Sequence, residues 1–578
     1  MKILLIYPYC LETRLHAEDV SIVPQGVYYI AALLKKHGYD VQIRNWHAIN
    51  QTPHAIKKRL LKTRPDIIGF SILHANRWGG IEIARIARQV NPDTKIVFGG
   101  IGATFLWEHF LAHFAEIDYV IIGEGEYSFL NLVNCLNDGR TDEIKHIKGL
   151  AFRRAGKPVR NEDADAICDL DQLPVPAQYF GYQHVSLTRG CAGKCNFCGS
   201  PQFWGRQVRF HSPDYFVEQL GLLYARGIRF FYVSDDTFTL NRKRVIEICR
   251  MILRKQMDIN WAAISRVDMI DEDVLYWMRK AGCIQISYGV ESGSPDIRKY
   301  LKKNISDEQI CRAFELTQRY GMMARAYFIY GCPQESWQTI QQSLDLIERI
   351  KPLSAIFYIL DIFPGTALYQ DYKNRFKVSD DIWLNRIEDI MYFETDPALS
   401  RDLILEFGRK LRAGFYERLP GFVDALDLID REDLYPQHSD FFSRLAMTFE
   451  TGDYAGIDAI PNKTRIAETL YRRSLEYGPD ARAYLGLGMI GQKKGAFEES
   501  IRILGEGIEL FPEDEHLPIC LAVSYMNLGK FKMALSRLLN FEHRKEVVHL
   551  IVNCYRALND SEKAEAYFKR YREIGNGF

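Results

Sequence analysis

The first part of the chain alternates short, almost continuously apolar runs with amphipathic stretches. The apolar runs lie at 3–7, 41–45, 66–71, 95–100 and 118–125. Strands buried on both faces need apolar side chains at nearly every position, whereas the stretches between them repeat apolar residues at helical spacing. The alternation therefore predicts an α/β fold with a parallel, doubly wound, Rossmann-like sheet over residues 1–140.

Residues 141–183 are polar and rich in proline, and we predict a linker there. From residue 184 the alternation resumes with a longer period. Its apolar runs lie at 184–189, 228–234, 259–265, 283–290, 323–331 and 354–362, and start residues such as Ser212-Pro213 and Ser306 with Gln309 open the helices between them. Six such units predict a partial (β/α)6 barrel of the TIM type over 184–390, with its active face at the carboxyl ends of the strands.

The rest of the chain has the apolar spacing of helices. Residues 391–460 predict a helical extension, and from 461 to 578 the sequence becomes repetitive. Gly495 and Gly529 are 34 residues apart, as are Phe497 and Phe531. This period resembles that of tetratricopeptide repeats, which implies an all-α domain with a groove for a peptide or protein partner. A helical cap that only stabilises the barrel or a dimer stays open as an alternative.

Charge and composition exclude several classes of protein. Lys+Arg and Asp+Glu both number 74, so the formal net charge is zero, which disfavours nucleic acid as a partner. No stretch reaches the roughly 18 apolar residues of a membrane span, and the opening apolar run predicts a strand rather than a signal peptide. We therefore expect a cytoplasmic protein whose twelve cysteines are thiols, metal ligands or core residues rather than disulfides.

Glycines and polar residues gather at the ends of the N-terminal strands. They are Ser71 to His74 after the third apolar run, Gly99, Gly100, Gly102 and Thr104 after the fourth, and Gly123, Glu124, Gly125 and Glu126 after the fifth. Open α/β sheets bind ligands at this edge, and glycine lets a bulky ligand approach the backbone. The residues predict a ligand site, although tight turns alone would give the same pattern.

Three cysteines follow the first barrel strand in a C-x3-C-x2-C spacing. They are Cys191, Cys195 and Cys198, on a loop that also contains Gly190, Gly193 and Gly199. Three thiolates on such a loop can hold three irons of a [4Fe–4S] cluster and leave the fourth iron open. A structural zinc site would need a fourth ligand, and no nearby Cys or His completes a familiar spacing. The loop therefore predicts an iron–sulfur cluster.

This loop, with Phe197 before its last cysteine, resembles that of the radical S-adenosylmethionine (SAM) superfamily. The resemblance implies that the open iron chelates SAM and that one electron cleaves SAM to a 5′-deoxyadenosyl radical. It also implies SAM contacts at the ends of the later barrel strands. They are Asp235, Asp236, Arg266, Glu291, Ser292, Gly293, Gly331 and Pro364.

The N-terminal domain resembles the cobalamin-binding domain fused to one branch of that superfamily. The resemblance implies a cobalamin cradle made by Gly26, Ser71, His74, Gly99, Gly100, Gly102, Thr104, Gly123, Glu124, Gly125 and Glu126. The sequence lacks the D-x-H-x-x-G segment that supplies a histidine to cobalt in methionine-synthase-type domains. His74 is then a candidate for the lower face of cobalt, with a simple loop histidine as the alternative.

Together these features give one leading hypothesis. We expect a cobalamin-dependent radical SAM enzyme that methylates an unactivated carbon through methylcobalamin. An oxidative cyclase or rearrangement enzyme with the same cofactors is the first alternative. A methylthiotransferase is less favoured, because Cys10, Cys135 and Cys168 have unsuitable spacing for a second cluster. A non-catalytic cobalamin-binding scaffold is the third alternative.

The expected partners follow from the same resemblance. A small molecule, a lipid, a tetrapyrrole or a peptide would serve as substrate, and a flavodoxin or ferredoxin would donate the electron. A protein partner could bind the helical repeats. We expect neither nucleic acid nor a membrane span. The residues themselves do not choose among the substrate classes.

Overall fold

The computed structural model describes residues 1–11, 21–49, 52–205 and 207–575. Two compact units emerge. The first consists of residues 1–317 and 324–415, and the second of residues 318–323 and 416–578. The first unit contains the predicted ligand edge and the cysteine loop.

The first unit begins with a twisted α/β layer. Its strands are β1 (Lys2–Tyr7), β2 (Asp40–Asn45), β3 (Ile67–Ser71), β4 (Lys95–Gly99), β5 (Tyr119–Ile121), β6 (Leu150–Arg154) and β7 (Lys157–Arg160). Its helices are α1 (Gln25–Lys36), α2 (Pro53–Thr63), α3 (Arg77–Val90), α4 (Ile101–Phe105), α5 (Trp107–His113) and α6 (Glu126–Asn137). Within the described ranges the sheet order is β2-β1-β3-β4-β5-β6-β7, and β1 to β5 are parallel. The predicted doubly wound sheet is confirmed.

The segment 141–183 differs from the expected linker, because β6 and β7 form a hairpin that extends this sheet antiparallel to β5. Leu150 and Ala151 are buried in the sheet, which favours pairing over an irregular crossing. Pro158 lies in β7, the edge strand, where a residue without an N–H group can be accommodated. A proline was therefore a poor reason to predict irregular structure here.

The barrel follows. Its strands and the short pairs beside them are β8 (His184–Val185), β9 (Thr188–Arg189), β10 (Arg209–Phe210), β11 (Phe230–Val233), β12 (Asn260–Ser265), β13 (Cys283–Glu291), β14 (Met323–Tyr330), β15 (Ser354–Ile359), β16 (Asp361–Ile362) and β17 (Ile390–Met391). Its helices are α7 (Ser200–Trp204), α8 (Pro213–Ala225), α9 (Arg242–Arg254), α10 (Glu272–Lys280), α11 (Pro295–Tyr300), α12 (Asp307–Arg319), α13 (Trp337–Ile350) and α14 (Ala367–Phe376). Among the described residues the barrel sheet has six strands in the order β15-β14-β13-β12-β11-β8.

Two of the predicted barrel strands are divided. The run at 184–189 splits into β8, which joins the barrel sheet, and β9, which pairs antiparallel with β10. The run at 354–362 splits into β15 and β16, and β16 pairs with β17. The predicted helix starts are confirmed, because the Ser212 hydroxyl accepts a hydrogen bond from Tyr215 N and Ser306 and Gln309 bond reciprocally. The split of the first strand sends the chain out of the sheet just before the cysteines.

The remaining helices form the helical extension, with α15 and α16, and then the repeats. They are α15 (Arg401–Asp424), α16 (Tyr435–Glu450), α17 (Lys463–Tyr477), α18 (Ala481–Lys493), α19 (Phe497–Leu510), α20 (His516–Asn527), α21 (Phe531–Leu538), α22 (Lys545–Ala557) and α23 (Ser561–Gly575). Gly495 and Gly529 occupy equivalent turns with φ of +74° and +70°, and Asn559 takes the next turn at +58°. The predicted all-α repeat domain is confirmed. In the part of the chain that the structure describes, we find no helix with the length and apolar character needed to cross a bilayer.

The hydrophobic core explains how the first unit holds together. One face of the N-terminal sheet packs on α2, α3 and α5, and the same core includes Ile362, Tyr369, Trp383 and Ile390 from the segment that follows β15, the last strand of the barrel sheet. The other face packs on α1 and α6. The segment 361–391 therefore covers the N-terminal sheet and fixes its position against the barrel.

Candidate functional site

A cavity of about 300 Å³ lies at the carboxyl ends of β3, β4 and β5. Its volume falls at the lower end of small-molecule pockets. Most of its lining is apolar and comes from the N-terminal domain, with Phe203 and Trp204 of α7 contributed by the barrel. The predicted cradle residues in the lining are Gly26, Ser71, Gly99, Gly100, Gly123, Glu124, Gly125 and Glu126. Eight of the eleven predicted residues thus meet at one cavity.

Two glycines show why this edge requires that residue. Gly100 has a φ of +96°, and a Cβ there would lie 2.8 Å from the Ile72 carbonyl oxygen. Gly123 has a φ of +73° and faces open space among the described residues. A side chain at either position would strain the backbone, and at Gly100 it would also push the loop away from β3.

The other three predicted cradle residues lie outside the lining. Gly102 packs against the backbone, since a Cβ there would lie 2.7 Å from the Leu73 carbonyl carbon. Thr104 accepts a hydrogen bond from Gly123 N at 3.0 Å and so joins two of the lining loops. Both residues support the cavity from behind.

His74 also lies away from the cavity lining. Its ring packs edge-on against Trp383, with centroids 4.2 Å apart, and Arg77 Nη1 lies 3.4 Å from its Nε2. Burial and the charge of Arg77 lower its pKa well below the usual value. These contacts support the alternative of a packed histidine over that of a cobalt ligand.

Glu124 and Glu126 line the cavity, but arginines from the barrel bind their carboxylates. Arg189 Nη1 lies 2.6 Å from Glu124, its Nη2 lies 2.5 Å from Glu126, and Arg209 lies 2.6 Å from Glu124. All four side chains are buried. Burial alone would raise the pKa of Glu124, yet the hydrogen bond from Arg209 and the charge of Arg189 lower it. The network ties the cavity loop to the pair β9–β10.

Sequence reasoning missed Arg189 and Arg209. Arg189 stands two residues before Cys191, in Thr188-Arg189-Gly190-Cys191. A charge inside a strand before a ligand loop suggests a buried partner, since an unpaired buried arginine is costly. Its partners lie more than 60 residues away, so the sequence could not identify them.

The three cysteines lie together on the loop between β9 and α7. Gly193 N donates to Cys191 Sγ at 3.3 Å, and a Cβ on Gly193 would lie 3.2 Å from that sulfur and 3.9 Å from Cys195 Sγ. Gly193 therefore lies against two of the three thiols, and a side chain there would crowd Cys191 Sγ. Burial, with smaller contributions from Asp236, Cys195 and Cys191, raises the pKa of the Cys198 thiol to about 11. Thiols this close fit a bound metal cluster, which would stabilise them as thiolates.

Positive charge surrounds this loop. Arg266 Nη1 would lie 3.7 Å from a Cβ on Gly193, and both its Nε and its Nη2 bond the Asp268 carboxylate at 2.9 Å. Lys303 binds Glu291 at 2.7 Å. Burial raises the pKa of the Cys195 thiol, and the charges of Lys303 and Arg266 offset only part of that rise. The structure therefore brings the predicted Arg266 and Glu291 to the loop, together with Lys303, which no sequence pattern singled out.

Asp235 and Asp236 have different surroundings. Asp235 is buried and accepts hydrogen bonds from the backbone N–H groups of Leu187 and Thr188 and from the Thr188 hydroxyl. Burial raises the pKa of Asp235 to about 7 despite these bonds. Asp236 accepts from the Ser200 hydroxyl at 2.5 Å, at the start of α7. Asp235 holds the chain that enters the cysteine loop, and Asp236 holds the chain that leaves it.

The remaining predicted SAM contacts lie in turns at the later strand ends. Ser292 Oγ accepts from Ser294 N, and a Cβ on Gly293 would lie 2.3 Å from the Gln342 carbonyl oxygen in α13. Gly331 has a φ of +77° and opens a turn that Glu335 closes by accepting from Cys332 N. In this structure these residues shape turns, and Gly293 packs against a helix.

Pro364 stands where the barrel meets the cavity loop. A Cβ on its neighbour Gly365 would lie 2.2 Å from the ring of Phe105 in α4. A Cβ on Gly199, just after the last cysteine, would lie 3.3 Å from Ile101 of α4 and 3.7 Å from Phe363. The cysteine loop, the cavity loop and the end of the barrel therefore meet at one junction, so a ligand in the cavity would lie beside a cluster on the loop.

Known protein families match three parts of the chain. Residues 19–133 match the B12 binding domain, residues 185–347 the radical SAM superfamily and residues 481–514 the tetratricopeptide repeat. The first two matches contain the cavity loops and the cysteine loop.

Individual relatives match longer parts of the chain. An uncharacterised methyltransferase of Pyrococcus horikoshii is 33% identical over 383 residues, which cover 64% of this chain and 83% of that protein. The anaerobic magnesium-protoporphyrin IX monomethyl ester cyclase of Rubrivivax gelatinosus is 28% identical over 413 residues, covering 68% and 73%. The structure of the radical SAM methyltransferase TsrM from Kitasatospora setae, with cobalamin and a [4Fe–4S] cluster bound, has a TM-score of 0.55 at 18% identity and covers 65% and 75%. The TsrM comparison shows a shared fold.

Proposed function

This chain belongs to the cobalamin-binding radical SAM family, and from that premise we propose that it methylates an unactivated carbon of its substrate. The family makes it a radical SAM enzyme whose cofactors are a [4Fe–4S] cluster, SAM and cobalamin. The observation that carries the proposal is the junction of the apolar cavity with the cysteine loop, since α7 both follows Cys198 and lines the cavity. Methyl transfer to an unactivated carbon needs one cofactor to abstract a hydrogen atom and a second to deliver the methyl group, so both must face one substrate.

We assign the groups to residues as follows. Cys191, Cys195 and Cys198 would hold the cluster, because the Cys191 and Cys195 sulfurs both lie within 4 Å of a Cβ placed on Gly193 and both cysteines act electrostatically on the Cys198 thiol. Arg266, Glu291 and Asp236 surround that loop and would contact SAM. The glycine-lined cavity would hold part of cobalamin. When bound, the cluster with SAM supplies a hydrogen-abstracting radical, and cobalamin supplies the transferable methyl group.

The chain's own residues position these groups and exclude water. The largely apolar lining keeps the cavity poor in water, which limits side reactions of a radical. Arg189 and Arg209 hold the cysteine loop beside the cavity through Glu124 and Glu126. Lys303 and Arg266 offset the negative charge of the thiolates. Protein placement and electrostatics thus support chemistry that the cofactors perform.

The experiment tests whether the methyl group of SAM is transferred to a carbon of the product. Anaerobically reconstituted protein is incubated with a small-molecule extract of its source organism, a reductant and SAM carrying a trideuterated methyl group. A methyltransferase yields a product that carries the trideuterated methyl on carbon, and the Cys191→Ala, Cys195→Ala, Cys198→Ala triple variant yields none. Products that change without acquiring deuterium would contradict methyl transfer and favour the cyclase alternative, which the Rubrivivax gelatinosus relative supports.

The partners follow from the same proposal. A flavodoxin or ferredoxin would supply the electron, and a small molecule, lipid, tetrapyrrole or peptide would be the substrate. The tetratricopeptide repeat at 481–514 indicates a protein interaction. We propose that this interaction delivers either the substrate or the electron donor.

A further inference from the structure

We propose that His109, His113 and Asp381 form a binding site for a divalent transition metal, with zinc as the preferred ion, apart from the cysteine loop. The site lies between α5 and the turn that follows α14. It uses none of the residues assigned to the cluster, SAM or cobalamin. The proposal therefore does not depend on the proposed function.

The geometry brings three donors together. His109 and His113 are four residues apart on α5, so their rings share one face of the helix, with centroids 5.0 Å apart. Asp381 reaches the same place from a distant part of the chain, and its Oδ1 lies 2.9 Å from His113 Nε2. One donor atom from each residue lies within 4.8 Å of the other two. Small side-chain rotations would bring all three to one ion.

His109 is buried without its full set of partners. Its side chain is 5% exposed, and among the described residues its Nδ1 has no hydrogen-bond partner. A bound ion would supply the partner that this buried nitrogen lacks.

The surroundings hold the turn that carries Asp381 in place. Asp380, beside Asp381, accepts from the Tyr369 hydroxyl and from Lys373 Nζ, which fixes its position and offsets its own charge. Asp381 N donates to the Ser379 hydroxyl at 3.2 Å, which orders the turn. His113 and Asp381 are 34% and 63% exposed, so water can reach the site as a further ligand.

The donor set selects the class of ion. Calcium and magnesium prefer ligand sets made of oxygen, whereas two imidazoles with one carboxylate suit zinc and its first-row neighbours. Zinc binds such donors at about 2.0–2.1 Å and accepts water as a fourth ligand. Zinc is therefore the ion we expect.

The site would join two parts of the first unit. His113 and Asp381 are 268 residues apart in the chain. Two residues after Asp381, Trp383 is buried in the core of the N-terminal domain, and the Arg77 guanidinium lies 4.7 Å from its ring. A bound ion would fasten the segment 379–391 onto the N-terminal domain. Its role is structural.

The test compares zinc binding among variants of the full chain. The variants are His113→Ala and Asp381→Asn at exposed positions, His54→Ala as an exposed-histidine control, and the triple cysteine variant to remove the competing thiols. After dialysis against a weak chelator, metal analysis should find about one zinc per chain in the triple variant and in His54→Ala on that background. Adding His113→Ala or Asp381→Asn should weaken zinc affinity at least about 100-fold and abolish the rise in melting temperature that zinc gives.

X-ray absorption at the zinc edge identifies the donors in the triple variant and in the chain with its cluster loaded. We expect nitrogen and oxygen at about 2.0–2.1 Å and no sulfur shell at about 2.3 Å. Zinc that is absent from the triple variant, that shows sulfur ligands, or that binds equally well after His113→Ala would overturn the proposal.

Discussion

Asp235 illustrates at the scale of one residue how burial and hydrogen bonding compete. This carboxyl is buried, accepts hydrogen bonds from three donors, has a pKa raised to about 7, and anchors the chain before the cysteines. Its position at a barrel strand end was predictable from sequence, but its partners Leu187 and Thr188 were not, because they precede it by almost 50 residues.

The raised pKa makes stability depend on pH. A carboxyl whose pKa rises from about 3.9 unfolded to about 7 folded contributes stability that is complete below pH 4 and is lost as the pH rises to about 7. The loss is of order 4 kcal/mol. We therefore expect Asp235→Asn to remove this slope between pH 5 and pH 7.5, measured as the difference in urea midpoint from the wild type.

Comparing the wild type with Asp235→Asn isolates the titration of Asp235. Burial also raises the pKa of Glu335 to about 7, and some histidines have lowered pKa values, but these groups titrate in both proteins. If the urea midpoints of the wild type and Asp235→Asn changed in parallel between pH 5 and pH 7.5, Asp235 would be ionised over that whole range in the folded state. That result would contradict its raised pKa.

The buried ion pairs between the N-terminal domain and the barrel also act at the scale of single residues. Arg189→Met would leave Glu124 and Glu126 buried without one of their partners, which typically costs about 3–5 kcal/mol. We expect that loss in chemical unfolding, with reduced iron content after reconstitution because the loop begins at this residue.

The matched control is Arg140→Met, which removes an exposed arginine from its pairs with Asp138 and Glu143 and should leave the free energy of unfolding almost unchanged. Equal costs for the two variants would contradict a structural role for the buried network.

At the scale of elements, the sequence predicted the strands and helices well where burial on both faces or capping residues marked them. It failed where strands were short or changed sheets. The hairpin β6–β7 was not predicted, because a proline such as Pro158 usually indicates irregular structure. The run at 184–189 divides because Thr188 and Arg189 pair with β10 instead of β11. The cysteine motif was visible because all three ligands are local, whereas Lys303, Arg209 and the pair His113–Asp381 depend on tertiary contacts.

The junction between α4 and the end of the barrel gives a prediction about elements. Gly365→Ala places a methyl group against the Phe105 ring at a φ of +87°, so both backbone strain and overlap destabilise it. We expect a total cost of about 2–5 kcal/mol in urea unfolding.

Gly139→Ala is the control, because Gly139 has a φ of +71° but its added Cβ would meet nothing within 4 Å among the described residues. It should cost about 1–2 kcal/mol. Phe105→Leu should recover part of the loss in Gly365→Ala and none in Gly139→Ala. Recovery in both, or in neither, would contradict the packing at this junction.

At the scale of the whole molecule, the first unit joins two ligand-binding folds that the sequence identified separately. The relative position of the two folds could not be predicted from the sequence. In the structure, the cavity, the cysteine loop and the barrel turn at Pro364 meet through Ile101, Phe105 and Phe363. That juxtaposition depends on packing across the segment 361–391 and on buried ion pairs. It is the physical basis for proposing that one substrate meets both cofactors.

Counting the products of SAM tests this claim most directly. With substrate present, a methyltransferase that uses one SAM as methyl donor and one as radical source yields S-adenosylhomocysteine and 5′-deoxyadenosine in a ratio near one to one, and both disappear in the triple cysteine variant. 5′-Deoxyadenosine formed with product but without S-adenosylhomocysteine would contradict methyl transfer and leave a radical SAM enzyme of another reaction type.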